Sequence, residues 1–143
     1  AGQESCPCGE NQMADAVTSQ TIQDGDRIAV LKFTNISDGS GEAAVKKVDV
    51  SALQAESGTG KACAKVAIEQ MWYDCSGMTV DILWDASTDA LCWTLSGYGF
   101  YDWRQAGPLV NNASSPTGDV MFTTTGHASG DRYTVMVAVR KSY

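Results

Sequence analysis

The side chains able to do chemistry are few, and their spacing points away from catalysis. The chain has one histidine, His127, set in the turn Thr125-Gly126-His127-Ala128-Ser129-Gly130-Asp131. A serine or cysteine nucleophile needs a base oriented by a third group, and only His127 could serve as a histidine base. Its glycine-flanked context reads instead as a solvated loop histidine, and histidine-clustered metal sites are excluded by the count. Gly58-Thr59-Gly60-Lys61 is like the end of a phosphate-binding loop, but Ala55 and Ala62 stand where a glycine and a Ser or Thr are needed. A plain turn is the better reading. Asp85-Ala86-Ser87-Thr88-Asp89 and Asp24-Gly25-Asp26 offer oxygen atoms to a cation, yet neither has the longer ladder ending in a bidentate glutamate that an EF-hand requires. Both read as turn aspartates. Nothing selects an acid and base pair among the 17 carboxylates, so no catalytic residue, metal or cofactor is expected and the chain is read as a non-enzyme.

Two further sets deserve a reading as contact residues. Five cysteines make an odd count, so at least one has no partner within the chain. Cys63, Cys75 and Cys92 lie in or beside strand-like runs and are expected to pack as small hydrophobes. Cys6-Pro7-Cys8 could be a metal clip, a strained local disulfide or a crosslink, but no second pair follows at zinc-ribbon spacing, which favours free thiols. Tyr98, Phe100, Tyr101 and Trp103 crowd into six positions and, with Trp72, Trp84 and Trp93, could line a sugar platform or a protein interface. Core packing accounts for the alternating members. That leaves Tyr101 and Trp103 as the candidate exposed aromatic interface, with a core role as their alternative. Asn35-Ile36-Ser37 and Asn112-Ala113-Ser114 fit the short glycosylation acceptor pattern, which matters only in a secreted protein.

The elements that must position these residues are short strands. Residues 1–26 are polar with almost no spaced apolar positions and read as an extended N-terminal arm, whose candidate partner contacts are Cys6, Pro7, Cys8, Met13, Val17 and Ile22. From Arg27 the runs Ile28–Ile36 and Val45–Val50 are broken by Gly- and Ser-rich turns, with a short helical turn allowed over Ser51–Glu56. Ala62, Ala64, Val66 and Ile68 are placed on one face of a strand and Cys63, Lys65 and Glu69 on the other. Val80, Ile82 and Trp84 then lead through an Asp-rich loop into Leu91, Trp93 and Leu95, a hairpin. Val120 and Phe122 alternate with Met121 and Thr123. Tyr133, Val135, Val137 and Val139 alternate with Arg132, Thr134, Met136, Ala138 and Arg140, the cleanest signal in the chain. Seven or eight such strands, with no helical period, predict an all-β domain over residues 27–143, an antiparallel β-sandwich or jelly-roll-like barrel.

Composition agrees with one such domain. The chain has 143 residues, 43% of them hydrophobic and only 19% charged, a profile that folds. Seventeen acidic against 10 basic side chains give a net charge of −7, opposite to what nucleic acid or an anionic membrane surface attracts. No stretch approaches the roughly 20 apolar residues of a membrane span. Residues 1–25 carry neither a basic leader nor an apolar run, so no export signal is expected in them.

From Met13 onward the chain resembles the small virion proteins of tailed bacteriophages, the capsid decoration or cement proteins. The resemblance is carried by Met13-Ala14-Asp15-Ala16-Val17-Thr18-Ser19-Gln20-Thr21, by the stretch from Ala29 to Glu42, by Val45-Lys46-Lys47-Val48-Asp49-Val50-Ser51-Ala52-Leu53, by Val80-Asp81-Ile82-Leu83-Trp84-Asp85-Ala86, and by Gly118 to Gly126 with Tyr133-Thr134-Val135. These are strand-and-turn patterns, and residues 1–12 lie outside them. The resemblance implies a β-sandwich on the outer capsid surface of a virion, a structural protein bridging copies of the major capsid protein and itself a homo-oligomer, dimer or trimer. It brings no catalytic residues. The alternative reading is another virion part, a head–tail connector component or a glycan- or receptor-binding tip domain.

Overall fold

A computed structural model describes residues 15–143. These residues form nine strands: β1 (Ala16–Asp24), β2 (Ile28–Ile36), β3 (Val45–Val48), β4 (Lys65–Ser76), β5 (Thr79–Ala86), β6 (Ala90–Leu95), β7 (Tyr98–Asp102), β8 (Pro116–Thr125) and β9 (Arg132–Ser142). A 3-10 turn over Val50–Ala52 follows β3, and no α-helix occurs among the described residues. All pairings are antiparallel, in a five-stranded sheet ordered β1-β2-β9-β4-β7 and a four-stranded sheet ordered β3-β8-β5-β6. The architecture is an antiparallel β-sandwich. Among the described residues no helix is long and apolar enough to cross a membrane.

Period-two patterning selects the inner faces. In β9, Tyr133, Val135, Val137 and Val139 are buried, and in β5 Val80, Ile82 and Trp84, as alternation predicts. Phe122 of β8 bridges the layers, its ring edge-on to Phe33 of β2 at 5.4 Å and to Tyr133 of β9 at 5.9 Å. Burying a side chain of this size is worth about 1.5–3 kcal/mol. One side of the sandwich is sealed by an aromatic seam. Trp93 of β6 meets Tyr101 of β7 and Trp103 just beyond it, each with centroids 5.2 Å apart.

Several sequence expectations are corrected. The domain begins before Arg27, because Ala16–Asp24 is a full edge strand paired along β2 from Ala16↔Ile36 to Asp24↔Ala29. It reads as an arm because it lies at the sheet's outer edge and is exposed along almost its whole length, so no apolar alternation is required of it. Asp24-Gly25-Asp26 makes the connection, with the Gly25 amide donating to Ile28 O at 3.0 Å. Ahead of β4 the predicted faces are reversed: Cys63 is buried while Ala62 and Ala64 are exposed, since the ladder starts only at Lys65. Leu91 is 58% exposed, because a register shift between Ile82 and Leu83 breaks the hairpin's alternation.

Candidate functional site

The register of β7 decides which aromatic rings meet solvent. Trp72 lies opposite Phe100, Asp74 opposite Tyr98, and Met71 opposite Tyr101. Directly opposed residues of an antiparallel pair share a face. Met71 is fully buried, so Tyr101 faces the core, whereas Trp72, Tyr98 and Phe100 lie on the outer face of the five-stranded sheet. Trp72 and Phe100 stack with centroids 5.1 Å apart and planes at 22°. Phe100 leaves the stack open to solvent at 49% exposure, with Tyr98 beside it 84% exposed, while Trp72 is half-buried.

The ladder extends this aromatic end into a band across the sheet. Phe100 pairs with Trp72, Trp72 with Met136, Met136 with Lys32 and Lys32 with Gln20. The neighbouring row runs Tyr98, Asp74, Thr134, Thr34 and Thr18, and the Thr18 and Thr34 hydroxyls are hydrogen-bonded to each other. Strands lie about 4.8 Å apart, so five of them span about 19 Å. A shallow depression of about 550 Å³ opens over the aromatic half of the band, lined by Lys32, Trp72, Tyr98, Phe100, Thr134 and Met136 among others. Lys32 and Asp74 both line it, so its charges balance. At the end of β7, Arg104 grips Asp102 through Nη2 at 2.7 Å and Nε at 2.9 Å. This guanidinium contact holds the Asp102 carboxyl down to about 2. Gly99 lies between Tyr98 and Phe100, and a Cβ there would come within 2.8 Å of the Tyr73 hydroxyl.

The residues expected to form an exposed aromatic interface sit elsewhere. Tyr101 and Trp103 are half-buried and stack on each other at 5.2 Å and 26°. Tyr101 also stacks on Tyr73 at 5.5 Å, and the neighbouring Tyr101 phenol pushes that of Tyr73 up to about 12. Both belong to the inter-sheet seam. The sequence shows four aromatics close together but not the strand pairing that sorts them, and the missed residues are Trp72, Tyr98 and Phe100. Of the arm candidates, Val17 and Ile22 are exposed on β1, whereas Cys6, Pro7, Cys8 and Met13 lie outside the described residues.

The other chemical candidates have structural partners. His127 is half-buried rather than solvated: its Nδ1 lies 3.3 Å from Thr124 Oγ1, and its ring leaves no room for a Cβ on Gly41. Asp24 accepts from Lys141 Nζ at 2.7 Å, and Asp26 from the Ser57 amide at 3.0 Å. Asp89 caps the β5–β6 turn through the Ala86 amide at 3.1 Å. Cys63 and Cys75 are buried and Cys92 half-buried. Burial pushes the Cys75 thiol up to about 11 and the Cys92 thiol up to about 12, which makes them unreactive at neutral pH. Among the described residues no three His, Cys, Asp or Glu side chains converge on a metal position.

No protein-family model and no curated protein matches the chain. Solved structures that match are of a family 29 carbohydrate-binding module. A point variant of it gives a TM-score of 0.39 at 11% identity over 88% of this chain and 92% of that one. The module itself gives 0.40 at 11% over 88% and 89%, and a variant complexed with cellulohexaose gives 0.39 at 11% over 87% and 91%. The expected capsid-cement function is corrected here: no family model and no curated protein supports it, and the solved structures that match are of a carbohydrate-binding module.

Proposed function

We propose that this chain is a glycan-binding module that holds a neutral oligosaccharide across the outer face of its five-stranded sheet. The observation that carries the reading is the Trp72–Phe100 stack, open to solvent at Phe100, with Tyr98 beside it, on a regular sheet face outside the core. Large aromatic side chains are normally buried, and a solvent-facing group of them marks a binding surface. A pyranose ring presents C–H groups on its faces and hydroxyls around its rim. Aromatic surface takes the first, and the Thr, Gln, Lys and Asp side chains of the adjoining rows take the second. A band of about 19 Å suits a short oligosaccharide better than a monosaccharide. The balance of Lys32 against Asp74 favours an uncharged chain over a polyuronate or a sulfated one. The reading is of binding without turnover.

The test is titration calorimetry against neutral and anionic oligosaccharides chosen from a glycan array. Micromolar to millimolar binding of a neutral oligosaccharide is expected, with Trp72→Ala and Tyr98→Ala each weakening it about tenfold or more. Tyr98 is so exposed that its replacement leaves the fold intact. Trp103→Ala should lower thermal stability while leaving the affinity of the folded fraction within about twofold. A folded wild-type protein that binds no glycan on the array, or binding that survives both site substitutions, would sink the proposal.

A further inference from the structure

Among the described residues the sandwich has four edge strands, β1 and β7 in one sheet and β3 and β6 in the other. Three of them are short: β7 has 5 residues, β6 has 6, and β3 has 4 with Lys46 and Lys47 among them. Short and charged edges are how proteins prevent strand addition. β1 differs in length and charge, although a bulge at Ile22 interrupts its ladder with β2. It runs for 9 residues, AVTSQTIQD, with no proline and no charge before Asp24. Its β-branched Val17, Thr18, Thr21 and Ile22 favour extended backbone. Among the described residues nothing pairs with its outer edge.

The two carboxylates that flank this edge are already engaged. Asp15 accepts from Asn35 Nδ2 at 3.0 Å, the Asp38 amide at 3.1 Å and Ser40 Oγ at 3.2 Å. Asp24 accepts from Lys141 Nζ at 2.7 Å and from the Gln54 amide at 2.7 Å. A chain of net charge −7 repels its own copies in general. Along β1, however, residues 16–23 carry no charge, the Asp24 carboxylate is paired with the Lys141 ammonium, and Asp15 is held by neutral donors, so carboxylates of two copies approach each other only at the strand ends.

We propose that β1 pairs antiparallel with β1 of a second copy of this chain, forming a two-fold dimer with a continuous ten-stranded sheet. The two-fold axis runs along the sheet normal and passes near Ser19 and Gln20. Main-chain hydrogen bonds supply the attraction, the mode by which an extended segment extends a sheet edge. Strand pairing with little side-chain burial belongs to the small, weak class of interfaces, so association is concentration-dependent. The proposal stands independently of glycan binding.

Sedimentation velocity over about two decades of concentration tests it on the wild-type chain. A monomer–dimer equilibrium is expected. Ser19→Lys places like charges beside the axis and should weaken association at least tenfold with an unchanged far-ultraviolet circular dichroism spectrum. Ser19→Glu alone should do the same, and mixing the two variants should restore the dimer as a heterodimer. A wild-type monomer at every concentration would overturn the proposal; protected β1 amides in hydrogen exchange would then assign the edge to the chain's own N-terminal segment. A dimer that tolerates Ser19→Lys would place the interface elsewhere and overturn it equally. Calorimetry of Ser19→Lys with a glycan reads the separate question of the aromatic face.

Discussion

Lys141 concentrates the cost and benefit of burying a charge in one side chain. It is fully buried, and its ammonium donates to Asp24 Oδ1 at 2.7 Å, Gly25 O at 2.8 Å and Gln54 O at 2.7 Å. Burial pulls its pKa down, but the hydrogen bond to Asp24 outweighs this and raises it above the ordinary 10.5. The three bonds fasten the end of β1, the β1–β2 turn and the loop before β4 to β9. Lys141→Met keeps the stem but strands a carboxylate and two carbonyls. It should destabilise the fold by about 3–5 kcal/mol, read as a fall in the midpoint of urea unfolding. A change below about 1 kcal/mol would show that water replaces the ammonium. Alternation at β9 places position 141 on the inner face, but no local signal reveals that the lysine there finds three acceptors drawn from distant segments.

At the scale of elements, strand pairing decides what the sequence could and could not show. Alternation in β5 and β9 is read correctly because each has one covered face. It fails for β1, which has none, and around the register shift in β5–β6. The outward-facing aromatics differ from the expected pair for a related reason: Tyr98, Phe100 and Tyr101 are equally good strand residues, and only the pairing of Met71 with Tyr101 tells inside from outside. β8 gives a sharp test of tight contact between elements. Gly118 has φ +95, and a Cβ there would fall 2.1 Å from Ala64 O, a backbone atom that cannot swing aside. Gly118→Ala therefore combines left-handed strain with a clash and should cost more than about 1 kcal/mol. A melting temperature equal to wild type would mean that β8 and the segment before β4 can part without loss.

Across the whole molecule, titration sets a window of stability. Burial pushes the Asp15 carboxyl up, but hydrogen bonds from Asn35, Asp38 and Ser40 prevail and hold it below 3.8. Asp49 is lowered by its hydrogen bond to Ser51. Groups depressed in the folded state stabilise above their unfolded pKa, and this contribution is lost as pH falls. On the alkaline side, burial raises Cys75 to about 11 and Cys92 to about 12 from 9.0. Burial and the bond to Glu42 carry Tyr133 above 10.0. Raised groups stabilise fully below their unfolded pKa, and that contribution declines above it. The urea midpoint should therefore be flat between about pH 4 and about pH 9 and fall on both sides. A midpoint still rising above about pH 9 would contradict the assignment of these thiols to the folded interior, and Cys92→Ser should soften the alkaline decline.

The position of β9 between β2 and β4 has a kinetic consequence. β2 ends at Ile36 and β9 begins at Arg132, so the centre of the larger sheet joins segments separated by most of the described chain. A nascent chain that has not yet reached β9 holds β1–β2 and β4–β7 as two ribbons with no strand to join them. Loop-closure entropy must be met before the central ladder forms, which places folding in the slow, milliseconds-to-seconds range of non-local β topologies. During that interval the apolar faces of both ribbons stand open, and the smaller sheet has nothing complete to close upon. The same strand order that carries a flat band of side chains across five strands thus makes the surface one of the last features to exist, assembled only when the two halves of the chain meet.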